Sequence, residues 1–273
     1  MTMTMTDVPS IPANLAGLSW TCGLSGAVFF VSDRAVIKRP FSGDESSKEQ
    51  LHMERRIYER LGKHPRITAF LGSQQDVLVL ERLQHTLRHR LLEIRNLQQR
   101  PAIQDVTRWA LQTAEGLDYI HSRGVKQVDI GTYNVLLDRK DNAKLSDFAG
   151  SSLDGSPPTV APGLHSAHPS LSTMEPTVES ELFSLGSLLY EIETTHQPFD
   201  DKNEDEVEAL FESDEYPTTS GLVLGEVIRK CWMMGYHDAG EMVADIQLIQ
   251  GCINDGDVTR QEIHTPSKVI NYS

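Results

Sequence analysis

A chain of 273 residues, 39% hydrophobic and 23% charged, is long and apolar enough for one large domain or two tightly packed lobes. Its formal net charge of −14 argues against nucleic acid as a partner, because phosphate backbones are bound by basic surfaces. Three widely spaced cysteines argue against a disulfide framework and a zinc site. With no run of eighteen apolar residues and no signal-peptide core, we expect an intracellular, cytoplasmic protein without a membrane partner.

The first third of the chain predicts a small sheet with one helix. Residues 1–15 are expected to be disordered. Apolar runs bounded by turn residues predict strands, the first two forming an antiparallel hairpin, at 27–31, 35–38, 67–71 and 77–80. A helix is predicted over 49–62, with Leu51, Glu54, Tyr58 and Leu61 on one face. This places a carboxylate on the inward stripe of the helix.

The rest of the chain is predicted to be mainly helical. The helices are expected at 103–123, 177–194, 204–211, 225–232 and 240–253. Two short strands are expected at 134–137 and 143–145, followed by a proline-rich loop over 149–170. The prediction is an α+β, bilobal fold: a small antiparallel-sheet lobe with one helix over 16–82, a larger helical lobe over 83–253, and a mobile tail over 254–273. A cleft would form at the junction of the lobes.

Three polar side chains after the helix at 103–123 predict chemistry. Asp129, Asn134 and Asp147 are separated by 5 and 13 residues. The first aspartate can orient a hydroxyl group, and the asparagine and second aspartate can hold Mg²⁺ on a nucleotide. Each residue alone could equally be a turn former, but their joint spacing favours a site.

Two features of the first third could serve the same nucleotide. Gly23 and Gly26 lie three residues apart before the first strand, which would let backbone N–H groups approach a phosphate, although a plain turn would look the same. Lys38 ends an apolar run, and Glu54 could pair with it to hold the ammonium on phosphates. The alternatives are a solvated strand end for Lys38 and a helix-surface position for Glu54.

Seven motifs, in order, resemble those of a eukaryotic-type protein kinase domain, most closely the compact, divergent kinase-like proteins of filamentous fungi. They are Val36-Ile37-Lys38, Glu54 to Tyr58, Leu78 to Leu83, Tyr119 to Val125, Asp147-Phe148, Glu181 to Gly186 and Cys231-Trp232. The resemblance covers roughly residues 17 to 252. It implies ATP and Mg²⁺ as cofactors and a protein as substrate or partner.

The resemblance also assigns roles to individual residues. Gly23 and Gly26 would lie over the phosphates, with Thr21 where the family has its first glycine. The Lys38–Glu54 pair would hold the nucleotide, Asp129 would orient the acceptor hydroxyl, and Asn134 and Asp147 would bind Mg²⁺. The remaining roles concern the adenine ring, which Val28, Val36 and Leu136 would sandwich and which the backbones of Glu81 and Leu83 would hydrogen-bond.

The catalytic loop departs from the family pattern His-Arg-Asp-x-Lys-Pro-x-x-Asn. Gln127, Val128, Gly131 and Thr132 stand in place of the His, Arg, Lys and Pro. Without the Arg, loop phosphorylation is not expected to act as a switch. Without the Lys, a charge-assisted donor is missing, and such a donor is worth about 10²–10³ in rate. Ala149 replaces the glycine after Asp147-Phe148, and Gly150 could take over its backbone freedom.

Three functions remain open from the sequence. The first is a protein serine/threonine kinase of reduced activity, and the second is a pseudokinase that acts as a nucleotide-binding or scaffolding module. The third is a small-molecule kinase, which would share the Asp-x-x-x-x-Asn loop. The acidic segment 200–215 could recruit a basic partner or be a solvated face. The oligomeric state is not indicated.

Overall fold

Five antiparallel strands and one helix begin the chain, which the computed structural model describes over residues 18–23 and 25–254. The sheet has the order β1-β2-β3-β5-β4. Its strands are β1 (Trp20–Cys22), β2 (Ala27–Phe30), β3 (Ala35–Arg39), β4 (Phe70–Gln74) and β5 (Val77–Glu81). The predicted hairpin is confirmed as β2–β3. Strand β3 is buried from Ala35 to Lys38, as its unbroken apolar run requires.

The third predicted strand was placed too early. Strand β4 begins at Phe70, not at residue 67, and Ile67 makes only an isolated bridge to Leu145. The backbone N–H of Thr68 likewise donates to Leu145 O at 2.9 Å. Residues 67 and 68 therefore connect the sheet to the helical part of the molecule, and the strand itself continues into polar residues that hydrophobicity could not indicate.

Helix α1 (Glu45–Leu61) packs against the sheet and begins four residues before its predicted start. Asp44 explains the earlier start, because its side chain accepts a hydrogen bond from Ser46 N at 3.0 Å and caps the helix. Gly62 ends the helix as predicted, with φ of 63°. The predicted inward face, which includes Glu54, is buried.

The remaining chain is mainly helical, with short strands between the helices. The helices are α2 (Leu87–Asn96), α3 (Ile103–Ser122), α4 (Val178–Thr194), α5 (Glu204–Glu212), α6 (Gly225–Trp232) and α7 (Ala239–Asn254). The short strands are β6 (His85–Thr86), β7 (Val125–Lys126), β8 (Val135–Leu137), β9 (Ala143–Leu145) and β10 (Ser152–Leu153). The predicted helices are confirmed to within two residues, and β8–β9 is the predicted second strand pair.

Helix α4 lies at the centre of the helical region. Its start is fixed by a capping box in which the Thr177 and Ser180 side chains each bond the other's backbone N–H. It packs closely on α6 at Gly186, where an added Cβ would lie only 2.6 Å from Cys231 Cβ. The predicted burial of this helix on most faces is confirmed.

The predicted α+β bilobal fold, with a small antiparallel-sheet lobe and a larger helical lobe, is confirmed. The boundary between residues 82 and 83 stays a prediction. Residues 1–15 and those from 255 onward lie outside the described residues, whereas Asn254, predicted to begin the tail, belongs to α7. All three cysteines are free. Within residues 18–23 and 25–254, no helix is long and apolar enough to cross a membrane.

Candidate active site

A cavity of about 330 Å³ lies between the five-stranded sheet and the helical region. The residues predicted to contact adenine, Val28, Val36, Glu81, Leu83 and Leu136, all line it. Further residues that the sequence did not predict also line it, among them Phe30, Thr68, Leu80 and His85. The cavity therefore combines apolar walls from β2, β3, β5 and β8 with the polar groups described below.

Lys38 projects from β3 into this cavity and is 4% exposed. Its Nζ lies 2.8 Å from Glu54 Oε2 and 2.7 Å from Asp147 Oδ1. Burial acts to lower the pKa of Lys38, but the two carboxylates outweigh it, so that the pKa is raised. The ammonium group therefore stays charged. The alternative interpretation of Lys38 as a solvated strand end is wrong, because the side chain is buried.

Glu54 reaches the cavity because it lies on the buried stripe of α1. The side chain is fully buried and contacts Lys38 with one oxygen, while Oε1 accepts a hydrogen bond from Phe148 N at 3.3 Å. The same carboxylate thus links α1 both to the lysine on the sheet and to the segment that carries Asp147.

Asp147 faces Lys38 from a strained backbone position with φ of 59°. The adjacent Phe148 is fully buried and packs edge-on against Tyr58, with ring centroids 5.3 Å apart. Burial acts to raise the pKa of Asp147, but Lys38 outweighs it and the pKa is lowered. The carboxylate is therefore ionised at neutral pH, as a magnesium ligand requires.

The two predicted loop glycines occupy different environments. Gly23 lines the cavity, and a Cβ built on it would lie 3.8 Å from Asp147 Oδ2. Gly26 lines neither this cavity nor the adjoining one described below; a Cβ there would lie 2.3 Å from Arg39 O, so the β2–β3 contact itself requires glycine. Its place over phosphates stays a prediction.

Asp129, Asn134 and Asp147 line a second, adjoining cavity of about 280 Å³. Asn134 Nδ2 donates to Asp129 O at 2.9 Å and to Asp129 Oδ2 at 3.0 Å. Because the amide nitrogen is committed to Asp129, the amide oxygen of Asn134 is left as an acceptor. Burial raises the pKa of Asp129, and hydrogen bonds from Tyr133 and Asn134 partly oppose that shift.

The donor set fits a magnesium ion that is also held by phosphate oxygens. Mg²⁺ is bound by one or two protein oxygens together with substrate phosphates and water, and Asn134 and Asp147 supply two such oxygens. The described residues hold no group of three or more His, Cys, Asp or Glu side chains suited to a metal. The described residues therefore contain no metal site built from such side chains alone.

Tyr133 is a further polar residue of the site that was not predicted from the sequence. Its Oη donates to Asp129 Oδ1 at 2.8 Å. Burial and the neighbouring Asp129 raise the pKa of Tyr133, so the phenol stays protonated and donates. Nothing in its sequence position signalled this contact, which depends on how the loop folds back at Gly131.

The substituted loop residues Gln127 and Val128 have defined partners. Gln127 Nε2 donates to Ser146 O at 2.9 Å and so connects the loop to the residue before Asp147. Val128 has φ of 71°, and its N–H donates to Glu181 Oε1 at 2.5 Å. The side chain of Gln127 and the backbone of Val128 therefore keep the loop attached to its surroundings.

A match to a known protein family identifies the family of this chain. The model of the protein kinase domain matches residues 32–221, more than half of the chain. The chain belongs to the protein kinase domain family. The narrower resemblance to fungal kinase-like proteins stays a prediction.

Curated relatives of this kinase domain are similar at low identity. A probable serine/threonine-protein kinase of Dictyostelium discoideum is 31% identical over 119 residues, which cover 40% of this chain and 7% of that protein. The dual serine/threonine and tyrosine protein kinase of Strongylocentrotus purpuratus is 29% identical over 170 residues (55% and 17%). The serine/threonine/tyrosine-protein kinase HT1 of Arabidopsis thaliana is 26% identical over 174 residues (57% and 43%). The matched segment is less than half the length of each relative.

The segment after Asp147 is held in this kinase domain by side-chain packing, a backbone hydrogen bond and an ion pair. Gly150 does not adopt a left-handed φ, so it does not supply the expected freedom; a Cβ there would instead lie 2.3 Å from the Val160 side chain. Thr159 N donates to Gly150 O at 3.0 Å. Further along, Asp154 forms a two-pronged ion pair with Arg60 of α1, with N–O distances of 2.8 and 2.9 Å.

The acidic segment 200–215 forms α5 and its flanks. Asn203 and Glu206 form a capping box at its start, and only Val207 and Phe211 of the helix are buried. Its acidic side chains are exposed, as the solvated-face interpretation expects. Recruitment of a basic partner stays a hypothesis.

Proposed function

We propose that this protein kinase domain binds Mg-ATP and transfers the γ-phosphoryl group to serine or threonine of a protein, at a reduced rate. The observation that carries the proposal is the position of Lys38. Its ammonium lies within 2.8 Å of both Glu54 and Asp147, and Asp147 also lines the cavity of Asp129 and Asn134. Phosphoryl transfer depends mainly on such positioning of charge.

Each group then has one task in the reaction. The adenine ring would lie between Val28, Val36 and Leu136. The backbone of Leu83 would hydrogen-bond the ring, since its N–H and C=O have no partner among the described residues. Glu81 would offer the other backbone contact, and Gly23 and Gly26 would cover the phosphates. Bound Mg²⁺ would neutralise phosphate charge, held by Asn134 and Asp147.

Transfer itself needs an acceptor hydroxyl oriented by Asp129. Asp129 would accept its proton as the oxygen–phosphorus bond forms and ADP leaves. Gly131 provides no charged donor for the transferred group, which supports a rate below that of a complete kinase loop. Two relatives carry names that include tyrosine, so tyrosine is the alternative acceptor to be assayed.

The test is incorporation of labelled phosphate into the protein itself and into generic Ser/Thr and Tyr peptides, with Mg²⁺ present. We expect incorporation that chelation of Mg²⁺ abolishes and that Asp129→Asn lowers to background. Exposed Asp33→Asn is the matched control and should retain it. Incorporation that is equal in wild type and Asp129→Asn would exclude this active site.

The second candidate is a pseudokinase that binds nucleotide without transfer or acts as a scaffold. The lack of a charged side chain at Gly131 favours it. A rise in melting temperature with Mg-ATP, lost in Lys38→Met, but no phosphate incorporation would establish binding without transfer. A small-molecule acceptor is less favoured, because the family matched is that of protein kinases. We place the protein in the cytoplasm, since its three cysteines are free.

A further inference from the structure

The ring of Tyr133 occupies the space beside Gly131 where a longer side chain would begin. A Cβ built on Gly131 would lie 2.7 Å from Tyr133 Cε1 and Cζ, and 3.0 Å from its Oη. These distances are shorter than van der Waals contact. A side chain at position 131 and the phenol in this position therefore exclude one another.

The phenol is also one of two donors that hold Asp129. Tyr133 Oη donates to Oδ1 at 2.8 Å, and Asn134 Nδ2 donates to Oδ2 at 3.0 Å. An ionised carboxylate has about four acceptor positions. Both oxygens are thus fixed in direction while each still has capacity for a further hydroxyl donor.

The loop backbone that carries the phenol is itself restrained. Arg88 N donates to Thr132 O at 2.9 Å, and Asn134 N donates to Gly131 O at 3.0 Å. Arg88 is held in turn by Glu191 of α4, with Nη1 to Oε1 at 2.6 Å. The position of Tyr133 therefore follows from a fixed loop between α2 and α4.

We infer that Tyr133 is a positioning residue for phosphoryl transfer, whose phenol fills the volume left by Gly131 and holds the Asp129 carboxylate toward the acceptor hydroxyl. The inference rests on the proposed function. It also explains the glycine at position 131, because a residue without a side chain leaves room for the Tyr133 ring. The neutral phenol orients Asp129, yet it brings no positive charge to the transferred phosphoryl group, which agrees with a slow kinase.

The first arm of the test measures the packing of Tyr133 against position 131 and needs no activity assay. Melting temperatures are compared for wild type, Gly131→Ala, Tyr133→Ala and the double variant. Gly131→Ala should lower the melting temperature by about 2 °C when Tyr133 is present, because the partly exposed ring must turn away from Asp129 to admit the added Cβ. It should lower it much less in the Tyr133→Ala background, because the ring that it meets has gone. Equal effects in both backgrounds would overturn the inferred exclusion.

The second arm measures kinetics on the same protein. Tyr133→Phe should lower kcat about tenfold with KM for ATP unchanged. Gly131→Ala should cause a similar loss, and the double variant Gly131→Ala/Tyr133→Phe should lose no more than either single one. Tyr236→Phe is the matched control, since Tyr236 Oη donates to Asp245 Oδ2 at the same 2.8 Å outside both cavities.

A third comparison offers rescue. Tyr133→Ala frees the space, and adding Gly131→Lys then supplies a charged donor there, so the double variant should exceed Tyr133→Ala in kcat. If Tyr133→Phe equals or exceeds wild type, the positioning role is wrong while the proposed kinase function stands. If wild type transfers no phosphate, both fail together.

Discussion

The Glu181 carboxylate accepts a hydrogen bond from the backbone N–H of Val128, 53 positions earlier in the chain, at 2.5 Å. Its other oxygen lies 2.5 Å from His121 Nε2. Val128 has φ of 71°, a conformation that costs a β-branched residue about 1–3 kcal/mol. The central helix thereby holds the strained residue that directly precedes Asp129.

Glu181→Ala should therefore destabilise the protein strongly. It leaves the Val128 N–H and the His121 ring without their acceptor, and each unsatisfied buried donor costs about 1–3 kcal/mol. Urea denaturation followed by circular dichroism measures the change in the free energy of unfolding. Glu208→Ala, which removes an exposed glutamate on α5, is the control and should change it by less than about 0.5 kcal/mol. Equal midpoints for the two variants would contradict this account.

Lys38→Met should lower both stability and nucleotide binding. Removal of the ammonium leaves Glu54 buried without its cation, which typically costs about 3–5 kcal/mol. The double variant Lys38→Met/Glu54→Leu should recover part of the lost stability, because the fully buried Glu54 charge is gone, although Asp147 still lacks its cation. It should still show no melting shift with Mg-ATP. Exposed Lys140→Met is the control. Recovery of the Mg-ATP shift in the double variant would show that Lys38 does not bind phosphate.

The ion pair of Lys38 with Asp147 predicts a pH dependence of stability. The pKa of Asp147 is lowered in the folded protein, so the folded state binds this proton less readily than the unfolded state does. Its stabilising contribution is present above the unfolded pKa of about 3.9 and is lost as pH falls through the lower folded pKa. Urea midpoints of wild type and Asp147→Asn should therefore differ at pH 6 and converge as the pH falls through the lowered folded pKa of Asp147. A constant difference across this range would contradict the prediction.

The same substitution should have opposite effects at two helical glycines. Gly186→Ala brings a Cβ to 2.6 Å from Cys231 Cβ, and overpacking of this kind costs about 1–3 kcal/mol. A Cβ added at Gly251 in α7 would meet nothing within 4 Å, so Gly251→Ala should stabilise by up to about 1 kcal/mol through helix propensity. Thermal melts of both variants compare the signs directly. A stabilising Gly186→Ala would mean that α4 and α6 are not in close contact.

The sequence predicted those parts of the site that depend on periodicity and motif order. Helical spacing placed Glu54 on the inward face of α1, and hence near Lys38. The order of motifs identified the family that the match to residues 32–221 confirms. The roles of Asp129, Asn134 and Asp147 stay predictions, although the three line one cavity.

What the sequence could not predict depends on tertiary contacts. The phenol of Tyr133 reaches Asp129 only because the loop folds back over a residue without a side chain. Residues 67 and 68 read as strand by hydrophobicity, but they bridge to Leu145 instead of the sheet. Local pattern carries no information about either partner, since each is set by chain segments that meet only in the fold.

The ion pair of Arg60 with Asp154 has a consequence for control of the protein. A carboxylate built into the chain already joins the segment after Asp147 to α1, where many regulated enzymes wait for an added phosphate to do so. We therefore expect that the proposed phosphoryl transfer needs no added phosphate in this segment. The amount of active protein in a cell would then follow its rates of synthesis and degradation.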